Sequence, residues 1–131
     1  MFLNQLNHCK QNLKILIFGI FDEILEIFGI FRGPKIENLD FLETYVAAHI
    51  PAFKVMRPQG TYLAWVDCRS LGLDGDSLNS LIMDKAKVYL DRGDVFGIEG
   101  EGFMRFNVAC SRALLEEALE RIAREVTLLD K

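Results

Sequence analysis

The sequence predicts an α+β fold: a small, mostly antiparallel sheet with helices packed on it. Three observations carry this reading. The runs 61–68 and 103–110 are dense in strand formers. The runs 37–49 and 112–128 instead repeat apolar residues at helical spacing. Between them, connections marked by Pro58, Gly60 and a glycine-rich stretch over 91–102 suit tight turns.

Composition sets the bounds. Half the residues are hydrophobic and 26% are charged, which is ordinary for a soluble globular chain. A length of 131 residues allows one domain, or one domain with an appendage. The net charge is -4 and no run of Lys and Arg occurs, so no nucleic-acid partner is expected. Cys9, Cys68 and Cys110 are far apart and form no Cys-x-x-Cys. They argue against a disulfide scaffold and against structural zinc, and they favour a reducing, cytoplasmic compartment. His8 and His49 have no obvious ligand partners, so no metal is expected.

Taken in order, the chain begins with its most apolar segment. Ile-Phe-Gly-Ile-Phe occurs at 17–21 and again at 27–31. The uncharged run 15–21 is far short of the roughly 20 residues a membrane span needs, and Asp22, Glu23 and Glu26 follow. No small-residue cleavage site marks a signal peptide. Acidic residues and glycines recur at near-helical spacing, which predicts an amphipathic helix over 13–31 with a wide apolar face. That face packs on the rest of the chain or forms a self-association or partner surface. Its acidic polar side argues against membrane binding.

Gly33 and Pro34 mark a break. A helix is predicted from 37 or 38 to 49, with Leu39, Leu42, Tyr45 and Val46 on one face and Pro51 as its stop. His49 suits its last turn, near the carbonyl ends, better than a catalytic base. A short strand follows at 53–56. The strand at 61–68 is apolar on both faces, which predicts a central position covered on both sides. Asp74-Gly75-Asp76 resembles a calcium loop superficially, but Leu78 stands where a ligand is needed and no Glu closes it. Asp74 or Asp76 reads as a helix N-cap instead. The helix then runs over 77–87 with Leu78, Leu81 and Ile82 buried, and 88–90 form a brief strand.

Residues 91–102 read as a loop. Its glycines do not make a dinucleotide fingerprint, because the loop precedes a strand, and its acidic residues would repel phosphate. The strand at 103–110 follows. Met104, Phe106, Val108 and Cys110 form an apolar face, and Phe103, Arg105, Asn107 and Ala109 share the other. Ser111 caps a final helix over 112–128 that buries Leu115, Leu119, Ile122 and Val126.

No Ser/His/Asp or Cys/His set, Gly-x-Ser-x-Gly or His-Glu-x-x-His occurs. The one defensible site on first principles is Arg105, a cation among strand formers. A guanidinium binds a carboxylate bidentately, with geometry as well as charge. The competing reading is an arginine that faces solvent or pairs with a nearby Glu.

Three runs carry a family resemblance: Asn38-Leu39-Asp40-Phe41-Leu42, then the stretch from Arg57-Pro58-Gln59-Gly60-Thr61-Tyr62 to Cys68, then Gly100-Glu101-Gly102-Phe103-Met104-Arg105-Phe106-Asn107. The closing stretch 114–122 also fits. Over about 36–126 the chain resembles the C-terminal small domain of fold-type I pyridoxal-phosphate enzymes, in the class I/II aminotransferase superfamily and nearest its cystathionine beta-lyase branch. The resemblance implies that Arg105 holds the α-carboxylate of an amino-acid substrate, with Gly60, Tyr62 and Asn107 nearby. It implies pyridoxal phosphate in the complete enzyme and none bound by this chain alone.

In that family the Schiff-base lysine, the aspartate at the pyridine nitrogen and the phosphate-binding residues lie in the large domain, which has no counterpart here. Lys54, Lys85 and Lys87 do not match the family lysine, and no catalytic residue is expected in this chain. The expected organisation is an apolar helical segment over 1–35 and a small domain over 36–131. The leading expectation is a detached small domain, inactive alone, that forms homo-oligomers through apolar surface. The rivals are a non-catalytic binding module and a truncated gene product that kept the fold.

Overall fold

The computed structural model describes residues 15–16 and 32–131. Most of the helix expected over 13–31 lies outside the described residues. Ile15–Leu16 do not follow that expectation: they form a two-residue strand, β1.

Helix α1 spans Arg32–His49. Gly33 and Pro34 thus belong to its first turn and do not interrupt the chain. Proline is tolerated there because first-turn N–H groups have no intrahelical partner. The predicted stripe is present, with Leu39, Leu42 and Val46 buried and Tyr45 half-buried against the core. Strand β2 (Lys54–Met56) pairs antiparallel with β3 (Leu63–Asp67).

Helix α2 (Gly75–Asn79) starts from Asp74, whose Oδ1 accepts the Ser77 N–H at 2.7 Å. The sequence expects one regular helix over 77–87. The structure widens it into a π-helical stretch over Ser80–Lys85, and the Ala86 N–H reaches back to the Leu81 carbonyl. Leu78, Leu81 and Ile82 are buried as predicted. Strand β4 (Val88–Tyr89) pairs with β1 in parallel, apart from the main sheet.

Residues 91–102 are not all loop. Asp91–Arg92 form β5, paired antiparallel with β6 (Phe103–Asn107), and two 3-10 turns lie between them. The main sheet has the order β2-β3-β6-β5 with every neighbour antiparallel. Helix α3 (Arg112–Leu129) is capped by Ser111, whose Oγ accepts the Leu114 N–H at 3.3 Å.

The core lies between the helices and one face of the sheet. Ala64, Val66, Met104 and Phe106 meet Leu115, Leu119 and Ile122 of α3, all buried. The other face of β3 is only half covered. Leu63, Trp65 and Asp67 keep partial exposure, so the predicted twofold cover holds on one side alone. That open face carries the candidate site.

Candidate functional site

Arg105 sits at the middle of β6. Its cross-strand partners are Trp65 on β3 and Asp91 on β5. Alternation along β6 turns Met104 and Phe106 into the core and leaves Arg105 on the open face, with its side chain 26% exposed. Asp91 receives two hydrogen bonds from it on the single oxygen Oδ2, from Nε at 3.1 Å and from Nη2 at 2.7 Å. The guanidinium carbon lies 4.5 Å from the centroid of the Phe96 ring. Phe96 in turn meets Trp65 edge-on, with ring centroids 5.6 Å apart. Trp65 also contacts Phe103, and the Arg69 guanidinium covers the Phe103 ring at 4.8 Å. The result is a layer of aromatic and guanidinium planes on the outside of the sheet.

Two glycines deliver Phe96 to that layer. The carbonyl of Gly100 stands 2.1 Å from where a Cβ on Gly93 would be, and the carbonyl of Gly93 stands 2.0 Å from a Cβ on Gly100. Only residues without a side chain allow the two strands of the loop to close this far. Arg92 braces the neck, donating to Asp94 at 2.6 Å and to Asp76 at 2.9 Å. The Arg92 hydrogen bond holds the Asp94 carboxyl below the usual carboxylate range, and the two carboxylates raise Arg92 further above its ordinary value.

The other candidates take different positions. Asn107 lies on the Arg105 side by alternation but is only 5% exposed, and its Oδ1 accepts the Ala109 N–H at 2.9 Å. Tyr62 packs half-buried against the core, and its carbonyl accepts the Val108 N–H. Gly60 is exposed, with no atom within 4 Å of a would-be Cβ. The structure therefore groups Arg105 with Asp91, Trp65 and Phe96, none of which the sequence reading paired with it. Asp91 carries no sequence signal for this pairing, because ten residues with two 3-10 turns separate β5 from β6 and the register that sets Asp91 opposite Arg105 is a property of the folded sheet. His49 is the exposed last-turn residue of α1, and its ring lies 4.4 Å from that of Tyr45.

The described residues do not fit pyridoxal phosphate. A lysine that forms a Schiff base must be sunk where desolvation lowers its pKa. Lys54, Lys85, Lys87 and Lys131 are all exposed. Lys85 and Lys87 line a cavity of about 360 Å3 with Glu117, Arg121 and Arg124, on the helix side of the molecule and away from Arg105. Among the described residues, no group of three or more His, Cys, Asp or Glu is placed to hold a metal ion. Burial pushes the Cys68 thiol far above its ordinary range, which makes it inert. Among the described residues no helix is long and apolar enough to cross a membrane.

The chain has clear relatives. Cystathionine beta-lyase PatB of Bacillus subtilis is 38% identical over 86 residues, which are 66% of this chain and 22% of that protein. Cystalysin of Treponema denticola, whose crystal structure contains a pyridoxal 5'-phosphate cofactor, superposes with a TM-score of 0.71 at 30% identity, over 73% of this chain and 24% of that one. The aromatic aminotransferase of Pyrococcus horikoshii superposes with a TM-score of 0.68 at 25% identity, over 74% of this chain and 25% of that one. This chain spans about a quarter of the length of the curated relatives it matches. The family of class I and II aminotransferases matches residues 36–122, and with the four-stranded sheet and its helices this places the chain within that family.

Proposed function

We propose that this chain supplies the small domain of a pyridoxal-phosphate-dependent enzyme acting on amino acids, a C–S lyase or an aminotransferase, and that Arg105 receives the substrate α-carboxylate. The observation that carries the reading is the setting of Arg105. It is a guanidinium whose carbon lies over the Phe96 ring on the open face of the sheet, with the side chain 26% exposed, where a planar anion can reach it. The cofactor is the electron sink of such chemistry, and this chain, whose Lys54, Lys85, Lys87 and Lys131 are exposed, spans only 22% of the length of PatB.

The chain alone is therefore inactive. Purified protein mixed with pyridoxal phosphate and cystathionine releases no pyruvate, and sustained turnover would refute this. The open face is the surface that would meet the rest of an enzyme. Met56, opposite Trp65 in register, is 54% exposed, and Val95, Phe96 and Ile98 of the loop between β5 and β6 are exposed too. Alone, the chain associates through this face, which sedimentation at rising concentration would show as an increasing mass. Cys68 is a buried free thiol, in keeping with a reducing, cytoplasmic compartment.

The same exposed face favours a second reading, a binding module that kept the fold without chemistry. Calorimetry separates the two. Under the leading reading an L-amino acid gives binding heat that its decarboxylated amine does not, and Arg105→Ala abolishes it. Equal heats from wild type and variant would overturn the role given to Arg105.

A further inference from the structure

We infer that Asp91 is a positioning residue that forces a carboxylate to dock on Arg105 end-on, through Nη1 and Nη2. This rests on the reading of Arg105 as a carboxylate receptor and goes beyond it, because it assigns the edge used and the residue that selects it.

The argument is a count of donors. A guanidinium has five N–H groups arranged around one plane: one on Nε and two on each terminal nitrogen. They make two bidentate edges. The side edge pairs Nε with the Nη2 proton that lies parallel to it, and the end edge pairs Nη1 with the second Nη2 proton. Asp91 fills the side edge, with Nε and Nη2 both donating to Oδ2. Nη1 has no hydrogen-bond partner among the described residues. The end edge therefore keeps both of its donors, and one carboxylate can be bound there without displacing Asp91. The Phe96 ring lies 4.5 Å from the guanidinium carbon and takes up part of the space around it.

The register explains why Asp91 can do this. It is the cross-strand partner of Arg105, fixed by the β5–β6 ladder and not by a mobile loop. Opposite charges facing each other across an antiparallel pair are mutually stabilising. Asp91 also neutralises the arginine, so the site does not attract anions by net charge alone. What remains is shape: a flat, two-pronged acceptor fits the end edge, and a spherical anion does not.

The test uses the whole 131-residue chain, with nitrogen-15 resonances of the Arg105 side chain as the readout and acetate and chloride as probes. In wild type, acetate shifts the Nη signals and leaves Nε in place. In Asp91→Ala, the Nε proton exchanges with water as fast as in a free arginine. The preference for acetate over chloride falls about threefold in that variant, the share of arginine rotamer freedom that Asp91 withholds. Loss of the Asp91 charge alone would alter both anions alike, so the ratio isolates positioning. Asp91→Asn keeps an acceptor oxygen and restores the preference, while backbone amide spectra confirm the fold of each variant. If acetate moves Nε as strongly as Nη, or if Asp91→Ala leaves the preference unchanged, the inference is wrong. If acetate moves neither signal while Nε stays protected in wild type and not in Asp91→Ala, the carboxylate-receptor reading fails and the locking of Arg105 by Asp91 stands.

Discussion

Replacing Asn38 with alanine should loosen the joint that holds β6 in place. Asn38 is 2% exposed near the start of α1. Its amide donates to the carbonyls of Val108 at 2.9 Å and Cys110 at 2.7 Å, and its oxygen accepts from Arg112 Nε at 2.9 Å. One side chain thus ties the first helix to the end of β6 and to the start of α3. In Asn38→Ala the buried Val108 carbonyl is left without that donor, which costs about 1–3 kcal/mol. Cys110 and Arg112 are less enclosed and can turn to water, so their bonds add about 0.5–1 kcal/mol each. The whole effect is about 3 kcal/mol, a large share of a typical domain's stability. Urea titration followed by the fluorescence of the sole tryptophan, Trp65, measures it as a lower midpoint at unchanged slope. Asn38→Asp keeps the acceptor for Arg112 but sets a carboxylate against two carbonyls, and should be no better than alanine. A loss below about 0.5 kcal/mol for alanine, or recovery by aspartate, would refute the reasoning.

Gly93→Ala should destabilise by about 1–3 kcal/mol, since its Cβ would stand 2.1 Å from the Gly100 carbonyl oxygen. Gly60→Ala, with open space around it, should be neutral or gain up to about 1 kcal/mol, and thermal melts of the pair test the contrast. Hydrogen bonds from Arg69 to Asp67, from the Ser77 backbone to Asp74 and from Arg92 to Asp94 hold all three carboxyls below their ordinary values. Such groups stabilise the fold above the unfolded carboxylate pKa, and that support is lost as pH falls through the lower folded value. The urea midpoint should therefore be insensitive to these groups from pH 7 to about pH 5 and should fall below about pH 4. Asp94→Asn should make that acid limb shallower, and an identical limb in the variant would count against the Arg92 pairing.

What the sequence makes legible is what neighbours along the chain decide. The stripe Leu39, Leu42, Val46 and its counterpart Leu115, Leu119, Ile122 follow from helical spacing, and both runs are buried as expected. Asp74 and Ser111 are caps because each side chain meets a backbone N–H three residues on. Strands β3 and β6 follow from their dense strand formers. The sequence reading misses features decided across longer distances. Asp91 and Arg92 are poor strand formers and become a strand only because β6 offers them an edge. Apolar Leu63 and Trp65 predict a covered side for β3, yet both keep partial exposure, and Trp65 meets the rings of Phe96 and Phe103 edge-on. Asn38 looks like an ordinary polar residue beside an apolar stripe, and its partners lie 70 and 72 residues away. At the site, the type and position of Arg105 were legible, while the pairing that orients it depends on strand register.

The closed neck at Gly93 and Gly100 has a consequence for how this surface can change. The chain leaves and rejoins β5 and β6 at almost one point, so the residues between behave as an exchangeable cassette. Val95 and Ile98, 68% and 82% exposed, can be replaced without disturbing the strands below. Phe96 is the cassette residue whose ring meets both Trp65 and Arg105. Swapping that single ring for a smaller or polar group would redraw the contour above the guanidinium while leaving the scaffold untouched. Variation in a few loop residues is thus a short evolutionary path to a different choice of ligand on the same sheet.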